Sequence, residues 1–293
     1  MVRKIYIDSR FRDSGTNSNF QFTLPAPVLH PKSRAYIDSI HIPNVFYTIN
    51  NLNKHIYLEE IYIDAFGVNP TGNTLTRKRK IALDEGFYDL QTLATQLATA
   101  LQRNSFFPGA VPTNPTDYYT VTTRPDQGKL IIGIVGTGTN SVKVWPKDYL
   151  RANKDLWVDA NSNQVGTYVE HDDCYTAIGL EGDVKFHIFP AFPLYTNRHI
   201  SILPFHTLYL TCDYGLGTNE DCISARGGSI LRSIPIATSF GNMIHDQLQN
   251  PFDYIELEAG QLRSFSFALR DVFQREIPLL HPFSFSILLV EED

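Results

Sequence analysis

The sequence predicts an all-β protein, an antiparallel jelly-roll sandwich with long loop insertions and one short helix. Three observations predict it. Apolar residues alternate with small polar ones in short segments from one end of the chain to the other. The composition holds 19 Phe and 15 Tyr against 2 Met, and aromatic side chains suit a pleated, half-buried surface. The 17 Pro and 18 Gly punctuate these segments throughout, and no βαβ alternation occurs.

The alternation is clearest near the C-terminus. Phe265, Phe267 and Leu269 alternate with Ser264, Ser266 and Ala268, and Phe283, Phe285 and Ile287 with Ser284 and Ser286. A period of two is what one buried sheet face requires. Similar segments are expected at Phe20–Leu24, Arg34–Thr48, His55–Ala65, Tyr118–Thr123, Leu130–Val135 and Val142–Trp145. Later ones are expected at Ile200–Asp213, Ser229–Thr238, Tyr254–Glu258, Leu262–Phe273 and Phe283–Val290. One stretch reads as a helix: Leu90, Leu93, Leu97 and Leu101 recur at helical spacing, with Asp89 placed to accept from the unpaired amides of the first turn.

Eight strands in two packed sheets form a jelly roll. The chain of 293 residues exceeds a bare roll, so insertions are expected at Ala65–Lys78, Phe106–Asp117 and Pro146–Gly182. Residues 1–19 hold few apolar side chains, which predicts an extended N-terminal arm ahead of a single domain over 20–293. Tyr6, Asp8, Arg10 and Arg12 are the arm's candidate contacts with a neighbour. Deleting residues 1–12 is expected to leave the sandwich folded.

A net charge of -6 disfavours general nucleic-acid binding. The strongest charge run is Arg77, Lys78, Arg79 and Lys80. On a strand, Arg77 and Arg79 face one way and Lys78 and Lys80 the other. The run reads as a solvated strand start, as a patch for an acidic neighbour, or as a contact for packaged nucleic acid. Cys174, Cys212 and Cys222 are odd in number and widely spaced, which predicts free thiols, with a Cys212–Cys222 bridge as the alternative. The opening residues lack the apolar core of a signal peptide, and no apolar stretch is long enough to cross a bilayer.

Catalytic and cofactor motifs are missing. Gly133, Gly136 and Gly138 follow a strand but run into Val142–Trp145, a second strand rather than a helix, so a hairpin turn is expected instead of a pyrophosphate site. Glu170, His171, Asp172, Asp173 and Cys174 concentrate metal-ligand types, yet neighbours on a strand point to opposite faces, and a loop is the plainer reading. Cys212, His206 and Asp213 could form a triad on paper, but Cys212 continues the apolar register of Leu208 and Leu210. The 9 histidines are scattered, without the paired spacing of a jelly-roll metalloenzyme. No enzyme activity and no cofactor are expected.

Ordered blocks resemble the single-jelly-roll penton (minor capsid) proteins of virophages and Polinton/Maverick-type DNA viruses. They are Ile5–Arg12, Asn17–Phe20, Phe22–Pro25, Tyr36–Asn44, Tyr47-Thr48 and Ile56–Leu58. Gly86–Leu90 running into the leucine-spaced helix, Leu208–Asp213, Asn250–Ile255, Leu262–Leu269 and Phe283–Ile287 complete the set. The resemblance implies a homopentamer at the vertices of an icosahedral virion, beside a double-jelly-roll major capsid protein and possible cement proteins, with no catalytic residues. The alternative is a receptor- or carbohydrate-binding β sandwich such as a spike head, which exposed aromatics among Trp145, Tyr149, Trp157 and Tyr168 would favour.

Overall fold

The computed structural model describes residues 2–63, 74–103, 119–134, 141–159, 163–180, 186–188, 192–214, 216 and 229–291. The chain divides into two compact units. The first comprises Met1–Phe46 and Phe205–Asp293, and the second Tyr47–Pro204.

The first unit is an eight-stranded jelly roll. Its strands are β1 (Val2–Asp8), β2 (Asn19–His30), β3 (Ser33–Pro43), β4 (Thr207–Tyr214), β5 (Ser229–Pro235), β6 (Met243–Gln247), β7 (Gly260–Arg270) and β8 (Ser284–Glu291). One sheet runs β1-β8-β3-β6, with Ile255–Leu257 also paired to β3. The other runs β5-β4-β7-β2, with Ser14–Gly15 added beyond β2. All these pairings are antiparallel. Apart from β4 and β5, which pair with each other in one sheet, consecutive strands alternate between the two sheets, the Greek-key order of a jelly roll.

Alternation builds the core as expected. Phe265, Phe267, Phe285 and Ile287 are buried, whereas Ser264 and Ser266 are only half-buried. Aromatic rings from the two sheets interlock: Phe267 of β7 meets Phe285 of β8 edge-on at 4.9 Å, and Phe20 of β2 meets Phe283 at 5.8 Å. Cys212 lies buried in the register of Leu208 and Leu210, the small-hydrophobe role read from the sequence. Pro25 and Pro27 fall where the β2–β7 register shifts, near the sheet edge, where a missing N–H is tolerated.

Two sequence expectations need correcting here. Residues 1–19 were read as an arm outside the sandwich, but Val2–Asp8 pairs with β8 along its whole length, from Val2 opposite Val290 to Asp8 opposite Ser284. Ile5 and Ile7 point inward and are buried. Two isoleucines on a seven-residue edge strand suffice to anchor it, because the other face is solvated. The single domain over 20–293 also differs from the structure. The segments at 55–63, 119–134 and 141–144 alternate as strands, but they build the second unit rather than the roll, so the insertion extends well beyond 146–182.

The second unit has a six-stranded sheet ordered Gln164–Gly166, Trp157–Val158, Thr74–Ala82, His55–Ile63, Ser141–Val144 and Phe186–Ile188. A three-stranded sheet follows the order Leu194–Tyr195, Lys129–Ile134, Tyr119–Arg124. Strands 129–134 and 141–144 therefore sit in different sheets, and their connection is not a hairpin; Gly136 and Gly138 lie outside the described residues. The helix α1 spans Leu90–Arg103 and buries Leu93, Ala94, Leu97, Ala100 and Leu101. Asp89 caps it, its Oδ1 accepting from the Thr92 amide at 2.7 Å. Two shorter helices, α2 (Lys147–Ala152) and α3 (Tyr175–Ile178), add to the one expected. Gly179 closes α3 at φ +75°, and a Cβ there would sit 2.5 Å from the Arg198 carbonyl oxygen. Of the expected insertions, residues 65–73 and 106–117 lie outside the described residues, as does Cys222. No described helix is long and apolar enough to cross a membrane.

Candidate assembly surface

The basic run lies on the strand Thr74–Ala82 of the second unit, and its side chains alternate as expected. Its partners are the chain's own carboxylates. Lys78 Nζ is 2.7 Å from Asp155, and Lys80 Nζ is 2.6 Å from Asp172. On the other face Arg79, 1 % exposed, lies 3.2 Å from Glu60, which also accepts from the Tyr119 hydroxyl. Arg77 stands opposite Glu60 in the ladder. Burial lowers the Arg79 guanidinium from its ordinary value, with Glu60 opposing the shift. The Lys78 ammonium holds Asp155 below the usual carboxylate range. Lys78, Arg79 and Lys80 are thus neutralised inside the unit, which corrects the reading of this run as a solvated strand start.

The acidic segment 170–174 is divided among separate partners. Glu170 pairs with Arg151, and Asp173 with Lys147 at 3.1 Å and the Tyr168 hydroxyl at 3.0 Å. Asp172 accepts from the Tyr57 hydroxyl at 2.8 Å and from Lys80, with His55 Nδ1 at 3.0 Å. Burial would raise the Asp172 carboxyl, but the His55, Lys80 and Tyr57 donors outweigh burial and hold it below its ordinary value. Cys174 is fully buried, which pushes its thiol up. No cluster of three or more metal-ligand residues occurs among the described residues. Trp145 and Trp157 are buried and Tyr149 and Tyr168 half-buried; Trp145 stacks on Tyr149 at 3.8 Å, and Tyr57 meets Trp157 and Tyr168 at 5.2 Å each. The aromatics that would have favoured a carbohydrate platform therefore serve as core.

In the first unit, Asp8, Arg10 and Arg12 build the turn after β1. Asp8 accepts from the Arg10 amide at 2.9 Å and pairs with its guanidinium at 2.6 Å, and the Arg10 side chain holds the Asp8 carboxyl below its usual range. Arg12 donates to the Ser9 and Gly15 carbonyls and to Asn17 Oδ1. The turn is fastened to the segment before β8: Glu276 accepts from Thr16, Ser18 and Asn19, and Asn17 donates to the Leu280 carbonyl. Of the four residues assigned to the arm, Tyr6, 73 % exposed on the solvent face of β1, and Arg10 are exposed, and Asp8 and Arg12 are half-buried. Lys4 lies beside its ring and pairs with Asp38 at 2.5 Å.

Tyr6 belongs to a larger set. Val2, Phe11, Phe252 and Leu280 are all more than half exposed, on an edge strand and at connections between strands. Sequence reasoning passed over Phe252 and Leu280. Phe252 lies among turn formers in Asn250-Pro251-Phe252-Asp253, a setting that leaves an aromatic no sheet face to enter. β1 and β6 are the two edges of their sheet, with different sequences and directions of approach. Exposed edges and apolar tips are the features a protein covers or uses for association.

No protein-family profile matches this sequence, and no curated protein matches it. Among solved structures, the crystal structure of the mavirus penton protein matches with a TM-score of 0.52 and 13 % identity. The match covers 99 % of this chain and 99 % of that one, so the likeness in fold runs from end to end.

Proposed function

We propose that this chain is a structural capsid protein, five copies of which close a ring at the vertices of an icosahedral virion. The observation that carries the reading is the full-length likeness to a penton protein. Jelly rolls serve many functions, so a likeness restricted to the roll would say little. A match over both the roll and the long insertion is more specific. A ring needs a heterologous interface, in which one surface meets a different surface of the next copy. The two unlike edges, β1 and β6, together with Tyr6, Phe11, Phe252 and Leu280, supply such surfaces. The proposed partners are further copies of the chain, a double-jelly-roll major capsid protein and cement proteins; no cofactor and no catalytic step enter the proposal.

The test is the symmetry and mass of the purified protein, alone and with the major capsid protein. Five-fold class averages or incorporation at shell vertices is the expected result. A protein that stays monomeric and never enters shells with its partner present would overturn the proposal.

A further inference from the structure

On the outward face of the β1-β8-β3-β6 sheet, His41 of β3 stands directly opposite His245 of β6. Their Nδ1 atoms are 2.8 Å apart, and the rings meet nearly edge-to-face, with centroids 4.9 Å apart and planes at 78°. The pair is solvent-accessible, and Met243 lies two residues before His245 on the same face of the edge strand. A neutral imidazole carries one N–H and one bare nitrogen, so a single proton joins the two rings here.

We propose that His41 and His245 form a two-imidazole chelate for a divalent transition-metal ion of the copper or nickel type. On binding, the ring that carries its proton on Nδ1 moves it to Nε2 by exchange with solvent, and the ion sits to one side of the line between the two bare Nδ1 atoms. At metal–nitrogen distances of about 2.0–2.1 Å, the 2.8 Å separation corresponds to an angle of about 85–90° at the metal. That is the angle between adjacent ligands of a square-planar or octahedral ion, the arrangements copper(II) and nickel(II) favour. A tetrahedral ion would need the nitrogens about 3.3 Å apart at the same bond lengths. The ladder between β3 and β6 fixes both Cα positions, so binding at one ring makes binding at the other intramolecular. The bound ion ties β6 to the interior of its sheet. The sequence hides the pair, because its members are 204 positions apart and meet only through the register of two strands.

The test uses the full-length chain with copper(II) and nickel(II) as probes, beside His41→Gln, His245→Gln and the double variant. Calorimetry gives the affinity, and electron paramagnetic resonance of the copper complex counts the coordinating nitrogens. The expected result is one equivalent bound through two imidazoles, with each single variant weaker by about tenfold or more and reduced to one nitrogen. Both positions face solvent, so melting of the metal-free variants should match the parent; should one variant misfold, the other single variant gives the same readout. Affinities that do not change between the parent and the double variant, or a copper signal that keeps two nitrogens in the single variants, would overturn the assignment.

Discussion

Truncating Phe267 to alanine should cost the jelly roll about 3–5 kcal/mol, the usual range for a buried Phe. The residue is 0 % exposed at the middle of β7. Its ring touches Phe20 at 5.9 Å, Phe265 at 5.4 Å and Phe285 at 4.9 Å, so the substitution opens a void shared by both sheets. Burial of a Phe side chain at about 25 cal/mol per Å² over roughly 150–200 Å² gives about 4–5 kcal/mol, in agreement with that range. Ser266, one residue away, is half-buried and faces outward, and Ser266→Ala should change stability by less than about 0.5 kcal/mol. Urea unfolding followed by circular dichroism reads the difference. With a slope near 2 kcal/mol/M, the Phe267 variant should lose about 1.5–2.5 M in midpoint with its slope unchanged. Equal, small shifts in the two variants would refute the assigned face of β7 and with it the aromatic core.

Deleting residues 2–8 should destabilise the roll rather than leave it intact, because Ile5 and Ile7 contribute about 1.5–3 kcal/mol each on burial and β8 loses its ladder partner; thermal melting and soluble yield check this. Asp172→Asn should cost about 3–5 kcal/mol by leaving Lys80 without its carboxylate. Asp172 is held below its unfolded value of 3.8, so its contribution is complete above that pH and fades as the pH falls through the lower folded value; parent and variant melts should converge in that acid window. Burial would raise the Glu276 carboxyl, but donors from Thr16, Asn19 and Ser18 lower it below 4.5. Glu276→Gln should therefore be destabilising at neutral pH and lose that effect as the pH drops below 4.5 in the same assay.

Much of the roll was legible because its strands carry their own signal. β7 and β8 alternate Phe with Ser, and the helix α1 repeats leucine at helical spacing, so local pattern and tertiary burial agree. Several strands of two or three residues left no signal, and three longer ones were missed or misread, each for a different reason. β1 has only Ile5 and Ile7 to mark its inner face. β6 buries Ile244 alone among Met243–Gln247. Thr74–Ala82 carries four cations in a row, which read as a solvated strand start, and the carboxylates that neutralise Lys78, Arg79 and Lys80, namely Asp155, Glu60 and Asp172, come from other parts of the chain. Charge compensation over such separations leaves no periodic trace. The two-unit division was equally hidden, since a strand's alternation shows that one face is buried but not against which sheet. The surface candidates divided similarly: Tyr6 lies on the outward face of β1, whereas Asp8, Arg10 and Arg12 are used in a turn whose other half, around Glu276, lies at the far end of the sequence.

The base of the insertion bears on how such a protein can change over evolutionary time. Phe46 and Phe205, the residues that bracket Tyr47–Pro204, meet edge-on at 5.6 Å and both belong to the roll. The chain thus leaves β3 and returns toward β4 through one aromatic gate. Closing a loop costs free energy that grows only with the logarithm of its length, so the long excursion adds about 2–3 kcal/mol over a short turn. That modest cost, met at a fixed gate, makes the second unit exchangeable in principle. Lineages can lengthen, shorten or replace it while the eight strands of the roll keep their order.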